Sequence, residues 1–519
     1  MSLPSACPAA SPPGWLAAMS GALRSRALPA VCSVAVLSAC AVGPDYRRPA
    51  TAPLTRYTET ALAGSTQSEP VPGGGSQSTV VGGDIPGEWW ALFRSPAITA
   101  LVRAALAQNP NVASAQASLR QARELRLQQE GTLFPDITGV LAHARQEEPL
   151  SFEGVRTPSL LFSDVDAQLN LSYTIDVWGG LRRAVEAAGA HVDYQRYELE
   201  AIDLALSAGV ATSAVTAASL AAQIKVQQDL IGFEQRQLQT VRRQFELGGA
   251  TGTDVATQEA QVATAQTVLV PLQTQLAQTR DQLAAYLGRA PSEVSIPALD
   301  LDAIVLPDML PVSVPSALLD QRPDIRAAEA TLHQETADLG VAISNRLPQV
   351  TLTASVGSQS PDFHQLFSPT NGLWSLVNQA AQPIFDAGQL LHAQRAQRAA
   401  LDAAGYAWRN TVVTAYQNVA DVLVALQNDA LSLRASVDAE RASARSLSLA
   451  SLQYKLGGVS YLSVLTAQQS YQNASLSLLR ARALRYTDTI ALFQALGGGW
   501  WHRSDVPPPP PGLLSSPLP

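Results

Sequence analysis

Few residues in this chain are of types, and at spacings, that support chemistry. Six histidines (His143, His191, His333, His364, His392 and His502) are scattered, and no His-Glu-x-x-His pair is present to hold a metal. No Gly-x-Ser-x-Gly turn presents a nucleophile. The run Pro72-Gly73-Gly74-Gly75 has no preceding strand and no Gly-Lys-Ser/Thr to cradle a phosphate. The three cysteines, Cys7, Cys32 and Cys40, all fall in the first 40 residues. The body therefore has no disulfide and no thiolate metal site. No catalytic residue, metal site or bound cofactor is expected, because no site constellation can be assembled. Three features remain: the thiol of Cys40, the acid Asp421, and two glycine turns at Gly248-Gly249 and Gly457-Gly458.

Cys40 has a context. Arg24 and Arg26 precede a mostly apolar run over residues 27–36, and small residues follow. This is the pattern of a secretory leader. Leu37-Ser38-Ala39-Cys40 resembles a bacterial lipobox, in which the cysteine is acylated and becomes the new N-terminus. Residues 1–39 are read as the leader, with Met1 and Met19 as alternative starts. The covalent lipid (palmitate among its acyl chains) is the one attached group expected. Residue 41 is Ala rather than Asp, so the inner-membrane retention signal of such lipoproteins is absent.

The elements that must position these residues are long helices. Hydrophobic residues make up 46% of the 519, charged residues only 15% and aromatics 6%. Such a chain is not disordered. It has 35 basic residues against 43 acidic ones and no basic stripe, so no nucleic-acid partner is expected. Residues 181–247 contain no Pro, and neither do residues 389–456. Unbroken, each would reach roughly 100 Å. Val262, Ala265, Leu269, Leu272, Leu276, Leu283 and Tyr286 recur at spacings that mark a coiled-coil seam. So do Leu476, Leu479, Ala483, Tyr486, Ile490 and Phe493. Pro271 predicts a kink in the first of these returning helices. No run of 18 apolar residues occurs in the body, which argues against helical membrane spans but not against a β-barrel.

The body repeats with an offset of about 210 residues. Asn109-Pro110-Asn111-Val112 answers Arg322-Pro323-Asp324-Ile325, and Leu133-Phe134-Pro135-Asp136-Ile137 answers Arg346-Leu347-Pro348-Gln349-Val350. Phe245-Glu246-Leu247-Gly248-Gly249-Ala250-Thr251 answers Tyr454-Lys455-Leu456-Gly457-Gly458-Val459-Ser460. Each half reads as helix, two strands, very long helix, Gly turn, returning helix. Val165, Ala167, Leu169, Leu171, Tyr173 and Ile175 alternate with polar residues, as do Val350, Leu352, Ala354 and Val356. The segments at residues 137–146 and 372–385, the latter with Pro383, are less regular strands. Residues 41–94 read as an extended arm without its own core, with helices opening at Ser95-Pro96.

Four strands cannot close a membrane barrel, and open sheet edges are not tolerated in lipid. Membrane-embedded, the protein must oligomerise, and three copies would give twelve strands. Here the sequence resembles the TolC/OprM outer-membrane efflux proteins, in the lipoprotein branch labelled NodT-like. The resemblance rests on Cys40 followed by Val42-Gly43-Pro44-Asp45-Tyr46-Arg47-Arg48-Pro49, and on Trp89-Trp90-Ala91-Leu92-Phe93. It continues in Arg322-Pro323-Asp324-Ile325-Arg326-Ala327-Ala328-Glu329, both Leu-Gly-Gly turns, and Ala495-Leu496-Gly497-Gly498-Gly499-Trp500. It implies a mixed, mainly α fold: a homotrimeric 12-stranded outer-membrane β-barrel continuing into a long periplasmic α-helical barrel. It implies a passive efflux duct, with a periplasmic adaptor (membrane fusion protein) and an inner-membrane RND-type pump as partners. Segments follow as 1–39 leader, 40–94 lipidated arm, 95–290 first repeat, 291–321 linker, 322–500 second repeat and 501–519 Pro-rich tail.

The resemblance also suggests roles. Asp421, far along the second long helix, would join two copies in an acidic ring at the periplasmic constriction. Gly248, Gly249, Ala250, Gly457, Gly458 and Val459 would sit at exposed periplasmic tips and dock the adaptor. Tyr173 and Trp374 lie in strand segments, and Trp374 is the better candidate for an aromatic membrane belt. Two other readings stay open: the exit duct of a peptide or protein secretion system, and a lipid-anchored periplasmic coiled-coil scaffold.

Overall fold

The computed structural model describes residues 41–50, 54–61, 63–148, 151–152, 155–156 and 159–503. The leader, Cys40 and the tail beyond residue 503 lie outside the described residues. In chain order the arm contributes strand β1 (Ser78–Val81) and a 3-10 turn at Trp89–Phe93. Helices α1 (Pro96–Gln108) and α2 (Pro110–Gly131) follow, then strands β2 (Asp136–Glu148), β3 (Ser151–Phe152), β4 (Val155–Arg156) and β5 (Leu160–Ile175). Helix α3 (Gly180–Glu246) runs out and α4 (Gly252–Tyr286) returns. A link carries β6 (Met309–Val312) and α5 (Pro315–Gln321). Then come α6 (Pro323–Ser344), β7 (Gln349–Ser360), β8 (Gly372–Ala381), α7 (Gln389–Lys455) and α8 (Tyr461–Ala495).

The halves match in element order and in length. Helices α2 and α6 have 22 residues each, α3 and α7 have 67, and α4 and α8 have 35. The short helices start where their sequence says. Ser95 accepts from the Ile98 N–H, and the Asn109 side chain accepts from the Asn111 N–H at 2.8 Å. Pro110 and Pro323 occupy first-turn positions, where a missing N–H costs nothing. Helix α4 ends against the start of α2: Asn109 Nδ2 donates to Tyr286 O at 2.9 Å. The two together run alongside α3.

Two details sharpen the sequence reading. Helix α4 holds Pro271 inside one continuous element. Pro271 is exposed while Leu272 points inward, so its ring and the bond it cannot make both face away from the seam. Strand β8 ends at Ala381, before Pro383, which cannot donate to a ladder.

The main core sits at the waist, where all the long helices meet the arm. Trp89, Phe93 and Phe493 are essentially inaccessible, with Trp89 stacked on Phe493 at 5.4 Å between ring centres. The arm therefore shares this core instead of lying free. Its β1 also pairs in parallel with β6 of the link. Helix α3 contains an 18-residue window of mean hydropathy 1.6, of which 67% is buried. Its alanines, such as Ala211, Ala214 and Ala218, face neighbouring helices at this waist. That length and apolarity belong to a core helix packed through small residues.

Candidate functional site

The site is built from the four-stranded sheet at one end of the helices, the shaft below it, and the tips. The sheet is antiparallel in the order β2-β5-β7-β8. Its register sorts the side chains cleanly. Ile137, Leu171, Ala354 and Leu376 form one cross-strand row, and Gly139, Leu169, Val356 and Trp374 form the next on the same face. One residue along, Thr138, Asn170, Ser355 and Ser375 form a row on the opposite face, where the last two hydroxyls lie 2.8 Å apart. Asp164 and Asp166 share that polar face and accept from Gln359 and Gln168 at 2.8 and 2.7 Å. No helix covers the apolar rows: Leu169 is 55% exposed and Trp374 78%. Strands β2 and β8 have no further partner among the described residues.

Two carboxylates turn the sheet into helices. Asp176 accepts from the N–H groups of Leu181 and Arg182 at 3.1 and 3.0 Å, beside Gly179 at φ 76°. Asp386 accepts from the N–H groups of Leu390 and Gly388 at 2.9 and 2.8 Å. Those backbone donors hold its carboxyl below the usual range. Aromatic side chains flank the sheet ends. Phe367, in the loop between β7 and β8, and Phe385, between β8 and α7, are 83% and 89% exposed. The sequence reading singled out Trp374 and missed both, because they fall outside the alternating runs.

At the other end the glycine turns close in the same way. Gly248 and Gly457 take φ 78° and 75°, which non-glycine residues rarely adopt. Gly249 N donates to Gln244 O and Gly458 N to Gln453 O, each at 2.8 Å, the paired pattern that ends a helix. Thr251 and Asp254 form a reciprocal cap on α4. Ala250 and Val459 are half-buried, with the four glycines exposed around them. Just above, Tyr461 donates to Gln258, whose amide donates to Glu234 O at 3.1 Å and to the Glu234 carboxylate. Burial raises the Glu234 carboxyl, against the pull of that amide.

Asp421 is not near a tip. It is residue 33 of the 67 in α7, roughly 50 Å from its end, and exposed. Gln417 reaches its carboxylate at 3.4 Å.

The motifs carrying the sequence resemblance prove to be fastenings. Arg183, 5% exposed, binds Asp45 at 2.6 Å and Glu186 at 2.7 Å. Tyr46 stacks on His333 at 4.4 Å and donates to Glu329 at 3.1 Å. Arg48 pairs with Asp320 at 2.7 Å. A Cβ on Gly43 would lie 2.7 Å from the Gly340 Cα, so these two glycines let the arm cross α6. Arg322 binds Asp324 and caps α8 through Ala495 O at 3.0 Å. No three His, Cys, Asp or Glu side chains converge as metal ligands among the described residues.

Known proteins share this arrangement. The family model described as "Outer membrane efflux protein" matches residues 101–289 and 314–498. The pyoverdine export outer membrane protein OpmQ of Pseudomonas putida is 30% identical over 421 residues, covering 79% of this chain and 87% of that protein. The toluene efflux pump outer membrane protein TtgC of Pseudomonas putida is 29% identical over 465 residues, covering 89% and 93%. The solved outer-membrane channel OprN superposes with a TM-score of 0.80 at 25% identity, covering 89% of this chain and all of that one.

Proposed function

The chain belongs to the outer membrane efflux protein family, and from that premise we propose that it is the outer-membrane channel of a tripartite efflux pump. It acts as a passive exit duct for small molecules, lies in the outer membrane and reaches into the periplasm. It is a transporter component, not an enzyme.

In the finer reading, three copies join edge to edge, β8 of one against β2 of the next, to make twelve strands. The observation that carries this is the sheet itself: two open edges among the described residues, and an apolar face left exposed at Leu169, Val356 and Trp374, opposite a polar one. Lipid tolerates neither unpaired backbone edges nor a lone sheet. The edge helices support it too, since Leu125 on α2 and Tyr406, Val413, Val424 and Leu431 on α7 are exposed apolar residues. The equal lengths of corresponding helices support an internal duplication with halves 95–290 and 322–500 about the 291–321 linker. Arm 40–94 is anchored by lipid on Cys40, after removal of leader 1–39, and 501–519 is a tail. Gly248, Gly249, Ala250, Gly457, Gly458 and Val459 dock the adaptor, which links the duct to an RND-type pump. Three Asp421 side chains form a ring at mid-height of the shaft rather than at its mouth.

The relatives named above are matched to cargo as different as toluene and pyoverdine. A duct that leaves selection to its pump accounts for that. The scaffold reading accounts for the helices but not for the sheet. The efflux relatives favour small-molecule export over protein secretion. Purified protein in planar bilayers tests the duct: stepwise conductance from a particle of three chains is expected. A monomer that forms no pores refutes it.

A further inference from the structure

The two halves of the chain map onto each other strand by strand. At the foot of the first hairpin Asp136 of β2 lies opposite Ser172 of β5, and at the foot of the second Gln349 of β7 lies opposite Ala381 of β8. Taking Asp136 to Gln349 is a step of 213 residues, and taking Ser172 to Ala381 is a step of 209. The same steps carry the helices: 213 takes Pro110 of α2 to Pro323 of α6, and 209 takes Gly180 of α3 to Gln389 of α7. The seam between the halves, β5 against β7, lies inside the chain, with Ile175 opposite Val350, Leu171 opposite Ala354 and Val165 opposite Ser360. The equivalent seam would join β8 to β2, and these are the two outer strands of the sheet.

Carrying β5 onto β8 and β7 onto β2 converts the inner seam into an outer one. Ile175–Val350 becomes Ile384–Ile137, Leu171–Ala354 becomes Ala380–Leu141, and Val165–Ser360 becomes Trp374–Glu147. Each such pair joins side chains of the same face of the sheet. The pairing covers apolar groups that the single chain leaves bare: Ile384 is 91% exposed, Ile137 65% and Leu141 68%. It also accommodates Pro383. Gln359 N donates to Asn371 O at 3.1 Å, so in β8 the odd-numbered residues turn their backbone groups to β7 and the even-numbered ones to the free edge. Pro383 is odd, so the donor it lacks belongs to the β7 side, beyond the end of β7 at Gln349. Gln382 and Ile384 keep their N–H groups for a neighbour. The smallest slip that preserves the faces is two residues. It puts Ile384 opposite Pro135, which has no N–H, or opposite Gly139, which has no side chain.

We propose that copies of this chain close edge to edge in the register of the inner seam, with Ile384 of one copy opposite Ile137 of the next and Ala380 opposite Leu141, and that β8 lengthens from Ala381 to Ile384 as it pairs. This rests on the three-copy reading above and adds where its seam runs. The inner seam is pinned at its foot: Trp178, after β5, donates from Nε1 to Pro348 O, before β7, at 2.7 Å. The step of 213 takes Pro135 to Pro348, so the outer seam has its own proline at this place. It brings the exposed Phe385, after β8, to Pro135 of the next copy. Ile384 and Phe385 on one edge and Ile137 on the other then form a single apolar contact at the foot of the sheet.

The test is disulfide cross-linking of the full-length protein in outer-membrane fractions. Gln379→Cys with Ala142→Cys puts one thiol on each edge, both on the polar face. In this register they form a pair that exchanges no backbone bonds, with Cα atoms about 4.5 Å apart, within reach of a disulfide. Within one chain three strand spacings, at least about 14 Å, separate the two sites, so any bridge joins copies. Mild oxidation should convert most of this variant to covalent trimer on a non-reducing gel. Gln379→Cys with Val140→Cys, or with Ala144→Cys, should lose that band. Faster bridging in either slipped pair overturns the register and leaves the three-copy reading standing. Trimers that bridge in none of the three pairs overturn the register as well. Chains that bridge in none and sediment as monomers overturn the three-copy reading with it. Should the first variant fail to reach the membrane, Ala381→Cys with Val140→Cys samples the same register, and absence of bridging there overturns the proposal equally.

Discussion

Leu169 and Asn170 are neighbours in sequence but stand on opposite faces of the sheet, so replacing each in turn with Arg gives opposite expectations. The apolar face of β5 runs from Ile175 to Val165, where β7 ends its pairing. Ten residues at about 3.3 Å, tilted about 40° from the membrane normal, span a height of roughly 25 Å. Leu169 lies about 15 Å up from the Ile175 end, close to the middle of that band. An outward Arg near the midplane costs about 2–4 kcal/mol per copy, hence about 6–12 kcal/mol in a closed trimer. Leu169 is 55% exposed in the single chain, so the larger side chain meets no steric obstacle and the cost is one of lipid contact. Asn170→Arg puts the same charge on the polar face, which the duct reading turns to the aqueous lumen and which also carries Asp164 and Asp166 further along the strand. The assays are the yield of heat-dissociable trimer in outer-membrane fractions and conductance in bilayers. Leu169→Arg should lose most of its trimer. Asn170→Arg should keep it and shift ion selectivity toward anions. Equal yields for the two variants would refute the two-faced reading, and the reverse order would invert the sheet.

Four further outcomes follow. Gln258→Leu leaves Glu234 buried without its donor and frees Tyr461. It should destabilise the tip by about 1–3 kcal/mol, seen as faster hydrogen exchange near residues 250–262 with the waist unchanged. Gly340→Leu collides with Arg183, whose Cγ already lies 2.9 Å from a Cβ built there. It should detach the arm motif, read as new tryptic cleavage after Arg47. Ala250→Asp or Val459→Asp should leave the trimer intact and abolish co-purification of the adaptor, and a retained complex removes these residues from docking. Asp421→Ala should raise single-channel conductance, and unchanged conductance in an intact trimer removes Asp421 from any ring.

Much of this was legible in the sequence because the fold is long and periodic. The prolines at 110 and 323 mark helix starts, and the glycines at 248 and 457 mark helix ends, by local backbone rules that need no partner. Alternation along residues 165–175 and 350–357 assigned both sheet faces. What stayed hidden depends on distant pairing. Nothing local says that residues 78–81 will lie beside 309–312, or that the arm will enter the waist core. Arg485 interrupts an apolar seam, and a period of 3.6 assigns charged residues to the surface. Only the crossing of α8 and the arm, where Gly73, Thr66 and Gln77 accept its hydrogen bonds, explains it. Asp421 was placed by resemblance rather than by counting residues along the helix, and the count puts it at mid-height.

The distribution of side chains along the shaft says where it is able to move. At the waist the seams are filled by Trp89, Phe93, Tyr486, Ile490 and Phe493, all essentially inaccessible. Opening there would expose large aromatic surface. Toward the tips the buried positions between α3, α4 and α8 mix amides, Gln223, Gln227, Gln258 and Gln468, with small aliphatic clusters such as Leu220, Ile224 and Leu272, and no buried aromatic among the described residues. Gln472 donates to Gln227 at 2.7 Å, Gln227 to Ala265 O at 2.6 Å, and Arg480 to Gln223 at 3.1 Å. Amides exchange one partner for another, or for water, at a net cost of about 1 kcal/mol each. An apolar seam has no such substitute. Local opening of the lower shaft is therefore expected to cost less than opening of the waist, because local stability follows the buried apolar surface. Replacing Gln472 and Gln227 together with leucine should slow hydrogen exchange in the lower shaft, whereas replacing either one alone leaves its partner's amide unpaired and should speed it.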